Sequence, residues 1–237
     1  KDYVHPDASE VCNGFDDNCD GSVDDDCPFG DVEMSIMPQP LQFYPRDVES
    51  NSCTFTVAGE LVEAATEVQV LVSLDGDPVF EATAEESPFS LDVVVEGGLS
   101  LYDVAVSWDN GTGWWKLAAT EGNILCGDVF VIDGQSNAVA VDYHNEGLGD
   151  LNKRTFVRSW GSSIQGFGVV NDTSFGIAVA NTEYTHAAVG QWGLQLALDV
   201  MEVEQMPILI FNGAVGGTKV DQHQRKDFNP TDLTTIY

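Results

Sequence analysis

The sequence predicts an α/β fold preceded by an antiparallel β-sandwich and a small acidic leader, and three patterns carry that prediction. Residues 1–30 are rich in Asp, Asn, Gly and Cys, residues 31–120 alternate apolar with other residues, and residues 121–237 hold two short apolar runs separated by a helical pattern. Hydrophobic residues make up 43% of the 237-residue chain, which is enough for a packed core. We therefore predict three domains with these bounds.

The acidic leader is predicted to bind calcium. Its oxygen donors alternate along the chain, and a glycine, Gly21, follows the third donor as in an EF-hand loop. Position 12 of the loop is Cys27 instead of the usual bidentate Glu, so Asp25 or Asp26 would have to replace it. An acidic turn without metal is the alternative, and zinc is disfavoured because the leader has no CxxC pair. The predicted ligands are Asp16, Asn18, Asp20, Ser22 and Asp24.

The charge and the cysteines indicate where the protein acts. The formal net charge of -30 repels nucleic acid and anionic membranes, so neither is an expected partner. Three of the five cysteines lie in the leader, a clustering typical of an oxidising compartment. We predict a secreted or cell-surface protein whose upstream segment has been removed, and a disulfide between Cys53 and Cys126, which flank predicted strands.

The second segment is predicted to form antiparallel strands because its apolar residues recur with period two. Asp75-Gly76 and Asn110-Gly111 supply hairpin turn signals between those strands. For Trp108, Trp114 and Trp115, core packing is favoured over sugar stacking. The alternating stretches are residues 68–74, 89–95 and 102–108.

The third segment is predicted to form strand, helix and strand. Residues 129–132 and 208–211 are short continuous apolar runs, as expected for strands of a parallel sheet that is covered on both faces. Between them, apolar residues recur at helical spacing from Val189 to Val203.

Each of these strands is followed by a turn with residues typical of an active site. Ser136 comes just after the first strand, next to Gly134, and Gly216 and Gly217 follow the second strand. The carboxyl edge of an open α/β sheet is where nucleophiles and ligands are placed, and a glycine turn can offer backbone N–H groups to an oxyanion. Either turn alone would be an ordinary strand ending, but two at the same edge indicate a site.

The strings GDVFVIDGQSN (127–137) and PILIFNGAVGGT (207–218) resemble the sialate O-acetylesterase and acetylxylan esterase branch of the SGNH hydrolases over residues 120–237. The resemblance implies a three-layer parallel sheet, incomplete in this chain, and an acetylated carbohydrate as substrate. It implies Ser136 as nucleophile and Gly216 or Gly217 as oxyanion donor. Substrate contacts are predicted at Gln135, Asn137 and His223.

The chain departs from that family in two respects that matter for activity. The family's Gly-Glu-Ser/Asn type loop, which gives an oxyanion-hole asparagine, does not occur before Tyr237. The family's later Asp-x-x-His block does not occur before Tyr237, and His144, His186 and His223 lie in other contexts. A serine nucleophile needs a general base. We therefore expect the His–Asp pair to come from a further segment or a second chain, and little activity from residues 1–237 alone.

The leader, residues 10–21, resembles metal-binding repeats of bacterial secreted and surface proteins, which implies a calcium-rigidified spacer. Together these patterns predict an extracellular carbohydrate esterase that removes O-acetyl groups. The alternative is a calcium-stabilised structural or adhesive surface protein, capable of self-assembly, on an inactive esterase-like fold. A purely carbohydrate-binding role is a third hypothesis.

Overall fold

The structure is a computed structural model that describes residues 32–62, 64–140, 154–161, 173–180 and 186–224. The leader with its predicted metal ligands, and His144, lie outside these ranges. The strands are β1 (Val32–Ile36), β2 (Phe43–Pro45), β3 (Ser52–Leu61), β4 (Glu67–Leu74), β5 (Asp77–Ala84), β6 (Phe89–Glu96), β7 (Tyr102–Asp109), β8 (Lys116–Ile132), β9 (Val157–Trp160), β10 (Phe175–Ile177) and β11 (Ile208–Asn212). The helices are α1 (Ser136–Val139), α2 (Gln191–Glu204) and a 3₁₀ helix (Val220–His223).

Two packed sheets form the larger core. One sheet has the order β1-β3-β6, and the other has the order β10-β9-β11-β8-β7-β4-β5. The alternating residues predicted as strands face inwards: Val57 and Val93 of the small sheet and Val70 and Val106 of the large sheet are fully buried in one cluster. The predicted antiparallel strands are thus confirmed, because one face of each packs against the other sheet.

The strand β8 connects the two parts of the large sheet. Its first half pairs antiparallel with β7, from Trp108↔Lys116 to Tyr102↔Ile124. Its second half pairs parallel with β11, from Ile208↔Asp128 to Asn212↔Ile132. Residue 120 lies within this continuous strand, so a domain division there stays a prediction.

The predicted three-layer α/β fold is wrong. The described residues are mostly β-sheet, and the large sheet is mixed, with parallel pairing confined to the neighbours of β11 and to the short β2. The run predicted to be covered on both faces is not: Val129, Phe130 and Val131 are 36%, 37% and 72% exposed. The apolar run correctly indicated a strand. However, β8 begins earlier in the chain, inside the antiparallel sandwich, and an apolar run does not specify which strands pair with it.

One face of the parallel part is covered by α2. Leu194 and Ala197 point towards Ile208 and Ile210, and all four are buried in a second cluster. Gly193 allows the close approach, because a Cβ there would lie 2.9 Å from Ile132 Cδ1. The predicted helix is confirmed within two residues at each end, although Val203 is 77% exposed and lies off the buried face.

The predicted disulfide is confirmed. Cys53 of β3 and Cys126 of β8 are bonded, with their Cα atoms 5.8 Å apart, and both are buried in the sandwich core. The bond joins the small sheet to the strand that leads to Ser136. A disulfide is typical of proteins in oxidising compartments. No helix in the described part of the chain has the length and apolar character needed to span a membrane.

Candidate active site

Ser136 is the first residue of α1, four residues after β8 ends. The Gln135 side-chain oxygen caps this helix, accepting from the Ser136 backbone N–H at 3.0 Å and from its hydroxyl at 2.6 Å. Gly134 has φ +146°, and a Cβ there would lie 2.9 Å from the Ala138 Cβ, so the turn requires glycine. Ser136, Gln135 and Asn137 are all exposed.

The second predicted turn lies beside the first. The Gly213 N–H donates to the Ile132 carbonyl at 2.9 Å, and the Val215 N–H donates to the Gly134 carbonyl at 2.9 Å. These bonds extend the parallel pairing of β8 and β11 beyond the strand ends. Gly217 has φ +78° within the turn that contains Gly216. The structure therefore brings the serine turn and the glycine turn to one edge of the sheet.

Asn212 is a positioning residue that the sequence analysis missed. Its side-chain nitrogen donates to the carbonyls of Ala138 at 3.2 Å and Val189 at 2.9 Å, while its oxygen accepts from the Ala214 N–H at 3.0 Å. One partly buried amide thus joins α1, the segment before α2 and the turn after β11. Its place at the end of an apolar strand was the available signal.

A carboxylate, an imidazole and a hydroxyl form a chain across the two turns. Asp133 Oδ1 lies 2.6 Å from His223 Nδ1, and His223 Nε2 lies 2.7 Å from Thr218 Oγ1. The Thr218 hydroxyl also lies 2.6 Å from the Val215 carbonyl oxygen. A single hydroxyl proton cannot serve both the Val215 carbonyl and the imidazole, so the direction of the His223–Thr218 hydrogen bond depends on which ring nitrogen carries a proton. The imidazole is 8% exposed.

This chain of contacts lines a cavity of about 260 Å³. Pockets that enclose drug-sized ligands measure about 300–1,000 Å³, so this cavity lies just below that range. Gln135, at its margin, is also the hydrogen-bond partner of the Ser136 hydroxyl. The cavity is lined by Asp133, Gly134, Gln135, Thr218, Lys219, Val220 and His223.

A general base for Ser136 is not found among the described residues. His223 is engaged by Asp133 and Thr218. The His186 Nε2 lies 3.1 Å from the Phe175 carbonyl oxygen, and the ring packs against Gly176. Within the ranges that the structure describes, no imidazole hydrogen-bonds the Ser136 hydroxyl, whose side-chain partner is Gln135.

Breaking the Asp133–His223 contact is expected to loosen the turn after β11. The Asp133→Ala variant leaves a largely buried imidazole without its carboxylate, so we expect the amides of residues 213–223 to exchange with solvent about tenfold faster. Hydrogen exchange followed by mass spectrometry measures this. The matched control is Asp221→Ala, which removes an exposed carboxylate from the 3₁₀ helix. Equal exchange in both variants would contradict a positioning role for Asp133.

Residues 1–25 match a family model described as "Putative metal-binding motif", whose name refers to copper binding. This match covers the leader alone. It establishes a metal-binding motif at the N-terminus and leaves the family of the remaining chain unassigned. No curated protein matches the chain.

Several solved structures are similar to parts of the fold. A carbohydrate acetylesterase from Xanthomonas citri aligns at 17% identity and a TM-score of 0.44, over 81% of this chain and 42% of that one. Fibronectin(III)-like modules from Clostridium thermocellum align at 13% identity and a TM-score of 0.29, over 40% and 94%. A polysaccharide deacetylase from Bacillus cereus aligns at 16% identity and a TM-score of 0.29, over 51% and 37%. The chain thus spans less than half of the acetylesterase.

Proposed function

We propose that this protein is an extracellular carbohydrate esterase that removes O-acetyl groups with Ser136 as its nucleophile. The observation that carries the proposal is the placement of Ser136 beside the Gly216–Gly217 turn. The Val215–Gly134 hydrogen bond holds the two turns together. A hydroxyl and a glycine turn at one sheet edge are two of the three parts that acyl transfer needs, and the third is a general base.

The proposed reaction has two steps. The Ser136 hydroxyl transfers its proton to a general base and its oxygen attacks the acetyl carbonyl carbon, while the Gly216 or Gly217 N–H stabilises the oxyanion. The sugar oxygen leaves with that proton, and water then hydrolyses the acetyl-serine to acetate. Because the described residues hold no imidazole against Ser136, the base is a histidine from outside them, and the Ser136 hydroxyl exchanges Gln135 for that base.

The other cavity residues are proposed to position and recognise the substrate. Asp133, His223 and Thr218 keep the glycine turn in register with the serine turn. Gln135 and Asn137 are exposed beside Ser136 and offer amide groups to sugar hydroxyls. His223 lines the cavity, and this position supports a substrate contact there. The small cavity would take the acetyl group or one substituent of the sugar.

The test of this function is acetate release from acetylated xylan and from O-acetylated sialic acid. Acetate release is compared between the longest expressed form of the protein, the same form carrying Ser136→Ala, and residues 1–237 alone. We expect hydrolysis by the longest form and its loss in Ser136→Ala. A longest form that is folded but hydrolyses none of these esters would instead favour the structural or adhesive surface protein, for which the supporting observation is that the Ser136 hydroxyl donates to Gln135 and contacts no imidazole among the described residues.

We propose calcium as the metal of the leader. The alternating donors are carboxylate, amide and carbonyl oxygens, which calcium prefers, whereas copper prefers imidazole and sulfur ligands. Secretion is consistent with a calcium-dependent leader and with the Cys53–Cys126 disulfide.

Removing calcium is expected to expose the leader to protease. Three of the five donors, Asp16, Asp20 and Asp24, are carboxylates that repel each other without a cation, so a chelator should increase cleavage before Pro28 by about tenfold or more. Limited proteolysis with calcium, with copper and with chelator measures this, and Asp16→Asn with Asp20→Asn is the ligand-deficient control. Protection by copper but not by calcium, or equal cleavage in all conditions, would contradict the proposal.

A further inference from the structure

An exposed tryptophan loop connects β7 to β8. Trp114 is 79% exposed and Trp115 is 40% exposed. In contrast, Trp108, the second-last residue of β7, is 3% exposed. The predicted core packing is therefore confirmed for Trp108 and wrong for Trp114. Large aromatic side chains that a rigid scaffold presents to solvent on a loop are characteristic of binding surfaces.

The loop is held in place by one carboxylate. Asp109, itself 5% exposed, accepts hydrogen bonds from the backbone N–H groups of Gly111 at 2.8 Å, Gly113 at 3.1 Å and Trp114 at 3.0 Å. Oδ2 accepts from the two glycines, whereas Oδ1 accepts from Trp114 and also lies 3.3 Å from the Thr112 hydroxyl. The two glycines have φ of +86° and +78°, a conformation that favours glycine. The backbone of Trp114 is thus fixed before any ligand arrives, which lowers the entropy lost on binding.

The charge on Asp109 is stable in this arrangement. Burial alone would raise the pKa of its carboxyl, but the hydrogen bonds from Gly113, Gly111, Thr112 and Trp114 together lower the pKa below its ordinary value. The carboxylate therefore stays ionised and keeps its acceptor role at neutral pH. The loop geometry does not require a ligand to hold it.

The loop surface is uncharged in a strongly acidic protein. Residues 110–115 contain no ionisable side chain, while the chain carries a net charge of -30. The neighbouring Lys116 ammonium lies 5.2 Å from the Trp108 ring centroid, over the buried ring. An anionic ligand would be repelled by the protein as a whole, and a basic protein would find better sites elsewhere on its surface. A neutral ligand with flat apolar faces fits this patch.

We propose that the Trp114 loop binds a neutral polysaccharide by stacking of pyranose rings on Trp114 and Trp115. A pyranose ring has an apolar C–H face that matches an indole, and its hydroxyl groups stay in water around the rim. The loop and Ser136 lie at opposite ends of the 17-residue β8, which at about 3.3 Å per residue separates them by up to roughly 50 Å. The site is therefore separate from the catalytic cavity and holds the polymer at a distance from it.

Affinity electrophoresis of the chain in native gels containing xylan, glucomannan or hydroxyethyl cellulose tests this proposal. We expect at least one of these polysaccharides to retard the wild-type chain. Trp114→Ala should weaken the apparent association by about tenfold or more, and Trp114→Tyr should retain most of it. Val203→Ala, which removes an equally exposed apolar side chain from α2, is the matched control and should bind as the wild type does.

Three results would overturn the proposal. They are no retardation of the wild type by any of the three polysaccharides, equal retardation of Trp114→Ala, or loss of retardation in Ser136→Ala. The third result would assign the binding to the catalytic cavity instead of the loop. Sedimentation velocity provides a further check, because an association of wild-type chains that Trp114→Ala abolishes, without polysaccharide retardation, would make the loop a contact between copies. Because Ser136→Ala is expected to bind normally, this test is independent of the proposed esterase activity.

Discussion

In the longest expressed form of the protein, replacing Ser136 with alanine is expected to lower kcat for acetyl-ester hydrolysis by on the order of 10⁴-fold or more. The acetyl-serine intermediate cannot form without the hydroxyl, and what remains is the contribution of the oxyanion turn and substrate binding. The side chain is exposed and its partner is the adjacent Gln135, so the free energy of unfolding should stay within about 0.5 kcal/mol of the wild-type value. Acetate release and thermal unfolding measure the two effects.

The matched control for that experiment is Ser90→Ala. Ser90 is an exposed serine on β6, in the sheet that does not carry the candidate site, so its removal should change neither quantity. Acetate release that survives Ser136→Ala would contradict the assignment of the nucleophile. A drop of equal size in Ser90→Ala would show that the loss comes from misfolding.

Removing the Cys53–Cys126 disulfide is expected to destabilise the protein by about 4 kcal/mol, because the bond closes a loop of 73 residues and so restricts the unfolded chain. The bond also joins the two sheets within the buried core. Urea unfolding of the Cys53→Ala/Cys126→Ala variant should therefore show a much lower midpoint at neutral pH. That loss is a large share of the 5–15 kcal/mol typical of a folded domain.

The control variant removes the three leader cysteines, Cys12, Cys19 and Cys27, and keeps the bond between the sheets. We expect it to leave the midpoint of the sandwich close to that of the wild type, because the leader contributes little apolar surface. If the two variants unfold at the same urea concentration, or if both Cys53 and Cys126 titrate as free thiols in the native protein, the prediction is wrong.

The local elements were predictable from the sequence because their signals are local. Alternation with period two indicated β4, β6 and β7, and helical spacing indicated α2. The position of Ser136 was predictable because it lies four residues after an apolar strand ends and two residues after Gly134. The disulfide was also predictable, since Cys53 and Cys126 are the two cysteines that lie outside the leader.

The arrangement of those elements was decided by tertiary structure. The run at residues 129–132 has the same pattern in a covered parallel sheet and in the mixed sheet observed here, where β8 pairs antiparallel with β7 and parallel with β11. Strand pairing joins residues far apart in the chain, and each strand can pair with several neighbours at similar local cost. The α/β prediction failed for this reason, although the strand itself was correct.

Three further features depend on the same long-range packing. Asp133 and His223 are 90 residues apart, and only the pairing of β8 with β11 brings them into contact. Arg158 lies on β9 fully buried, with no hydrogen-bond partner for its guanidinium among the described residues, and burial lowers its pKa to about 10. Trp108 and Trp114 are the same residue type six positions apart, yet one is in the core and the other in solvent. Sequence by itself determined five of the strand segments, the helix α2 and the serine turn, whereas burial and contact across the sheets were set by packing, because they depend on every neighbouring element at once.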